Sequence, residues 1–273
     1  MPGYDIKPAK WLSFDFKELW QFRELFVFMA WRDIQVKYKQ TLLGFIWVIL
    51  QPLVLMLIFS TLWLKVMKVE TPGMPYPVFA YSGLILWGLF SSGISNAGES
   101  MISNSNIIKK VYFPRIIIPS SAVIVAFFDF LITLMLLVIM IVWFDLDTSI
   151  PRLIAFLALS VLLTLISSLG LGLIIASATI KFRDFRYVVP FLLQTLFFVS
   201  PVVYPLSLYN SEPLRILLSI NPLAGAMNLA RSGLTGSPVE WGLVLISSFV
   251  AIIILIAGLT MFSRMESQYS DML

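Results

Sequence analysis

Cysteine and histidine are both absent from this chain of 273 residues. Without cysteine there is no disulfide framework, no thiol nucleophile and no thiolate metal site. Without histidine the commonest general base and the commonest metal ligand are missing as well. No Gly-Lys pair occurs anywhere, which excludes a phosphate-binding loop of the Walker kind. Carboxylates do not cluster at metal-ligand spacing, and no nucleophile stands beside a base. Charge is scarce too, with Asp, Glu, Lys and Arg making 12% of the chain and a net charge of +4. Catalysis has little to work with here, so energy-driven work requires a partner or an ion gradient.

Apolar residues are abundant: 59% of the chain is hydrophobic and the mean hydropathy is +0.92. A soluble domain cannot hide that much apolar surface, whereas a polytopic membrane protein has no need to hide it from lipid. At ~1.5 Å per helical residue and a ~30 Å hydrocarbon core, the apolar runs predict an all-α membrane protein with six transmembrane helices. They fall near 42–64, 78–97, 119–144, 153–179, 188–204 and 241–262. Between spans five and six, residues 205–236 hold two apolar pieces, 213–220 and 222–234, each too short to cross. They predict a re-entrant helical hairpin.

Residues 1–41 read as a cytoplasmic lead, interface helix and gate segment, and 42–273 as the transmembrane domain. The lead has no apolar signal core, so it is not read as a cleaved signal peptide. Asp15 and Glu18 make a capping-box pattern, and Leu19, Phe22, Phe26 and Met29 share a face opposite Lys17, Gln21 and Glu24. With Trp20 and Trp31 near its ends, this predicts an N-terminal amphipathic helix in the membrane interface. Residues 31–52, WRDIQVKYKQTLLGFIWVILQP, contain no turn signal and read as one helix passing from water into lipid. Asp33 and Lys37 stand four apart in the acid-first order that supports a helix. Pro52 frees backbone groups near mid-span and is a candidate hinge, as are Pro190 and Pro201 in the fifth span.

Asp129 lies within the third span among Phe127, Phe128 and Phe130. A carboxylate at that depth costs roughly 2.5–3.5 kcal/mol, so it is expected to face the bundle interior with a partner. It either binds a substrate or holds two helices together. Ser82, Ser91, Ser92, Ser95 and Asn96 make the second span the most polar, and they either pack closely or line a conduit. Ser160, Thr164, Ser168 and Gly172 form a small-residue seam on the fourth. Of the 19 Lys and Arg residues, 14 fall on the side that holds both termini and 5 on the other. By the positive-inside rule both termini are cytoplasmic.

Four segments carry a family resemblance in order: WRDIQVKYKQTLLGFIW at 31–47, NIIKKVYFPRIIIP at 106–119, FRD at 182–184 and LFFVSPVVYP at 196–205. The first contributes Arg32-Asp33, Lys37-Tyr38, Thr41, Leu43-Gly44 and Trp47, with Pro52 following. Together they resemble the membrane subunit of polysaccharide-exporting ABC transporters of the type-2 class, over roughly residues 13–265. O-antigen export permeases are the most similar kind, with teichoic-acid and capsule permeases as near relatives.

The resemblance implies a homodimer in a bacterial inner membrane, partnered by two cytoplasmic ABC ATPase subunits that bind ATP and Mg. This chain then needs no cofactor of its own and no nucleic acid. The implied cargo is a polysaccharide on a polyprenyl diphosphate lipid. Arg32, Lys37, Tyr38 and Lys39 are candidates for a cytoplasmic gate that receives the lipid diphosphate. Asn106, Lys109, Lys110, Tyr112, Phe113 and Arg115 are candidates for ATPase docking, on a short segment flanked by two spans it can lever. Phe197, Phe198 and Tyr204 are candidates for stacking on sugar rings. The plainer reading of the cations is topology anchoring, and of the aromatics core packing. A drug or small-lipid exporter, a membrane-embedded glycan enzyme and a non-transporting scaffold compete. The enzyme needs paired acids or a histidine, and the scaffold needs no proline-broken span.

Overall fold

The computed structural model describes residues 16–39, 44–63, 71, 73–182, 184–206 and 211–265. Their regular elements are helices: α1 (Phe16–Gln21), α2 (Arg23–Lys39), α3 (Gly44–Leu62), α4 (Tyr76–Ser103), α5 (Ser105–Ile108) and α6 (Ile117–Trp143). There follow α7 (Ile150–Lys181), α8 (Phe185–Val199), α9 (Glu212–Ser219), α10 (Pro222–Thr235) and α11 (Trp241–Met265). Five of them, α3, α4, α6, α7 and α11, are long and apolar enough to cross a membrane. The helices outrun the predicted spans: α4 continues to Ser103 and α7 extends from Ile150 to Lys181. Bilayer thickness limits the apolar run, and helical hydrogen bonding continues past it.

The run 188–204 is not helical throughout. Helix α8 has 15 residues and stops at Val199, and Ser200 turns extended with ψ 144°. Pro201 explains the stop, because a proline ring pushes the preceding residue out of the helical region. Two short helices, α9 and α10, stand where the hairpin is predicted, and neither is long enough to cross. Their corner is well built. Asn221 caps α10 by accepting from the Leu223 N–H at 3.0 Å, and Pro222 takes the first helical position. Ser247 of α11 accepts from the Gly225 N–H at 3.0 Å and donates to the Ser219 carbonyl at 2.8 Å.

Helix α4 is the most buried span and α3 the least. α4 packs along α6 and α7, and α7 packs in turn against α10 and α11. The small-residue seam is where the sequence puts it: Ser160, Thr164 and Ser168 are fully buried. Ser168 and Gly172 meet α4, and a Cβ on Gly172 would lie 2.7 Å from that of Ala97. The tightest crossing is between α7 and α11, where a Cβ on Gly258 would lie 2.3 Å from the Gly170 carbonyl oxygen.

Residues Leu19, Phe22, Phe26 and Met29 pack with Met101, Phe113, Ile117, Leu173 and Phe262 at one end of the bundle. The opposite face of α2 is less polar than predicted, since Val27, Phe28 and Trp31 are exposed on it beside Glu24. Asp15, half of the predicted capping box, lies outside the described residues. So do residues 40–43, including Thr41, where α2 and α3 join.

Candidate functional site

A cavity of about 590 Å³ opens between α3, α4, α6 and α8, with Lys37 of α2 at its edge. Pro52 lies in its wall, inside α3. Proline has no N–H, so the carbonyl of Val48, one turn earlier and also in the wall, loses its helical donor. Gln51, Gln194, Ser91 and Ser92 line the cavity with amides and hydroxyls that donate as well as accept. Trp87, Phe59, Phe197 and Phe198 supply aromatic surface. Phe197 is the hub of these rings: its centroid is 5.4 Å from Trp87, edge to face, 6.0 Å from Phe59 and 5.3 Å from Phe198.

Asp129 belongs to the same wall and has the partner its depth demands. Lys37 Nζ donates to Asp129 Oδ2 at 2.5 Å, and the Tyr38 hydroxyl donates to Asp129 Oδ1. Asp129 sits about 18 Å along α6 from its first residue, so the end of α2 reaches the middle of a span. The Tyr38 ring is stacked on Phe45 at 4.3 Å and meets Phe128 edge-on at 5.7 Å. An ordinary phenol is neutral near pH 7, so the Tyr38 hydroxyl acts as a neutral donor.

The other predicted gate residues do not join the cavity. Arg32 donates to Asp33 at 2.8 Å and to Asn104 Oδ1 at 2.7 Å, tying α2 to the end of α4. Lys39 is exposed on the last turn of α2. Of the predicted aromatics, Phe197 and Phe198 line the cavity and Tyr204 does not. Tyr204 is buried and donates to the Val199 carbonyl at 2.8 Å, across the end of α8. Pro190 is exposed on α8 and borders a smaller crevice of about 80 Å³ that includes Glu99 and Arg186. Pro201 lies just past α8 and terminates it rather than bending it.

The predicted docking residues divide into two groups. Asn106, Lys109, Lys110 and Tyr112 are exposed on the elbow between α4 and α6, and Arg115 is half-buried. Phe113 is only 3% exposed, so its ring holds the elbow down and is not offered to a partner.

Arg231 was counted in the sequence only as a cation for topology. It is half-buried, donates to the carbonyls of Pro201 and Val202, and lies over the Phe79 ring. The reasoning applied to Asp129 points to it as well, because a charge inside an apolar helix requires partners. Among the described residues no three acidic or metal-ligating side chains come together as a metal site. The cavity is equipped to hold hydroxyl-rich, partly apolar material, with one ion pair at its edge.

The sequence profile described as ABC-2 type transporter matches residues 24–235. The chain belongs to this family. Among proteins similar to this ABC-2 chain is the O-antigen export system permease protein RfbA of Klebsiella pneumoniae, 28% identical over 252 residues, or 92% of this chain and 95% of that protein. The protein of the same name from Myxococcus xanthus is 30% identical over 212 residues, covering 77% and 80%. The polysialic acid transport protein KpsM of Escherichia coli is 28% identical over 244 residues, covering 86% and 91%. The ABC-2 match takes in the Lys37–Asp129 pair, the whole cavity wall and Arg231.

Proposed function

We propose that this chain is the transmembrane subunit of an ATP-driven exporter that moves a lipid-linked polysaccharide of the O-antigen kind outward across a bacterial inner membrane. The cavity carries the reading. Aromatic faces grip the C–H faces of sugar rings, and the amides and serines replace water at the hydroxyls without demanding one sugar sequence. Relatives named for O-antigen export and for polysialic acid transport support that choice of cargo. A cavity of about 590 Å³ suits a drug-sized ligand, so a polymer needs an open wall. A second copy of the chain completes the pathway.

The two ends of the bundle are assigned by charge, with the side richer in Lys and Arg in the cytoplasm. Helix α8 and the residues just after it form the fifth of six crossings. Helices α9 and α10 form a re-entrant corner on the outer side, and α10 is buried by α4, α7 and α11. Helix α2 rests on the bundle through Met29 and turns Val27, Phe28 and Trp31 to the lipid interface. A separate ATPase binds ATP and Mg and docks on the elbow at Asn106, Lys109, Lys110 and Tyr112. Phe113 passes its motion into the core.

In reconstituted vesicles the chain alone hydrolyses no ATP, and co-assembly with its ATPase confers hydrolysis. Cells lacking the chain accumulate the lipid-linked polysaccharide on the cytoplasmic side. Hydrolysis by the single chain, or normal surface polysaccharide without it, overturns the proposal.

A further inference from the structure

Two donors on consecutive residues of α2 converge on a single acid of α6. The Lys37 ammonium takes Oδ2 at 2.5 Å, and the Tyr38 hydroxyl takes Oδ1. Each carboxylate oxygen thus has its own donor, which is how two oxygens of a phosphate group are held. The side chain of Asp129 is 13% exposed and that of Lys37 41%, and both line the cavity. The cation is therefore within reach of a ligand in the cavity, while the carboxylate is the more buried of the pair. Arg32 differs, being held between Asp33 and Asn104 away from the cavity.

We infer that Lys37 and Tyr38 form a binding site for the phosphate end of the lipid carrier, and that Asp129 is a resident anion occupying it until cargo arrives. The inference rests on the lipid-linked cargo proposed above, with its carrier taken as a polyprenyl diphosphate. A diphosphate carries more negative charge than one carboxylate, and it brings oxygens for both donors. Its arrival displaces Asp129 from the end of α2. Because that contact ties α2 to the middle of α6, loading frees α2 on this side while Arg32 and Asn104 keep it tied to α4. An empty transporter stays latched, and a loaded one is released.

The test uses the chain assembled with its ATPase subunits in nanodiscs. The probes are farnesyl diphosphate, inorganic diphosphate and farnesol, which separate the headgroup from the lipid. Wild-type complex is expected to bind farnesyl diphosphate more tightly than farnesol. Asp129→Asn binds farnesyl diphosphate on the order of tenfold more tightly than wild type. Lys37→Gln loses the preference over farnesol, and the double variant matches Lys37→Gln. A measurement without variants guards against misfolding of Asp129→Asn. In wild-type complex, farnesyl diphosphate lowers acylation of Lys37 and raises carbodiimide labelling of Asp129, and farnesol changes neither. Equal or weaker binding by folded Asp129→Asn, or unchanged Asp129 labelling, overturns the resident-anion role alone. A wild-type complex that does not distinguish farnesyl diphosphate from farnesol overturns the carrier reading and this inference together.

Discussion

Arg231 donates to the backbone carbonyl of Val202 at 2.7 Å, joining α10 to the turn that follows α8. Among the described residues no strand runs beside that turn, so its carbonyls need other donors. Arg231 also takes the carbonyl of Pro201 at 2.9 Å, and the Tyr76 hydroxyl takes that of Val203 at 2.7 Å. The guanidinium lies 3.5 Å from the centre of the Phe79 ring, whose π-face attracts a cation. Gly83 makes the approach possible, since a Cβ there would lie 2.3 Å from the Val202 oxygen. Phe197 and Phe198 precede this clamp by a few residues, so it fixes one edge of the cavity.

Replacing Arg231 by Met leaves the carbonyls of Pro201 and Val202 buried without donors. Each unsatisfied group costs ~1–3 kcal/mol, and each kcal/mol lowers Tm by roughly 2–4 °C in a chain of this size. Thermal unfolding of the purified protein is expected to fall by several degrees. Arg231→Lys keeps the charge but loses the fork that spans two carbonyls, and should fall between. Unchanged Tm for Arg231→Met would show that the clamp contributes nothing to stability.

The α7–α11 crossing makes a sharper stability prediction. Any Cβ at Gly258 meets the Gly170 carbonyl at 2.3 Å, and backbone on both sides prevents relief by a side-chain rotation. Gly258→Ala is therefore expected to separate the helices and lower both Tm and yield. Gly242, in the first turn of α11, has nothing within 4 Å of its Cβ position. Gly242→Ala should match or exceed wild type, by up to ~1 kcal/mol from helix propensity. Equal losses in the two variants would contradict the crossing.

Much of this was legible before the fold was known. The cost of a carboxylate in hydrocarbon announced that Asp129 has a partner, and four-residue spacing announced the seam at Ser168 and Gly172. The partner's identity was not legible, because Lys37 lies 92 positions away and no local pattern links them. Run length alone made α8 too long, although Pro201 already marked its stop. Phe113 reads as exposed inside a polar, basic stretch, and only the packing of α2, α6 and α7 around it reveals an anchor. Arg231 was legible in principle, by the logic that worked for Asp129.

The elbow after α4 separates docking from packing. Lys109→Glu combined with Lys110→Glu changes two exposed side chains, so Tm should stay within about 1 °C, as expected for surface substitutions. Co-purification of the ATPase subunit should fall sharply. Phe113→Ala should do the reverse in stability, since truncating a buried Phe costs ~3–5 kcal/mol. Intact ATPase association in the charge-reversed variant would remove these lysines from the docking surface.

The natural absence of cysteine makes topology directly testable with single introduced thiols. Helix α7 has 32 residues, or about 48 Å at ~1.5 Å per residue. Arg152, near its first turn, donates to the Ser237 carbonyl. The chain leaves α7 at Lys181, at the far end of that helix, and must return to Arg152 by residue 237. The 15 residues of α8 cover about 22 Å of that distance, and the residues that follow must cover the rest. In the six-span arrangement proposed above, the α8 segment is the crossing added to the five long helices. A cysteine at Glu240, beside the start of α11, is expected to react with an impermeant maleimide in intact cells. One at Asn106, on the elbow, should react only after permeabilisation. Labelling of both positions from the same side would mean that α8 does not cross, and the six-span arrangement would fall.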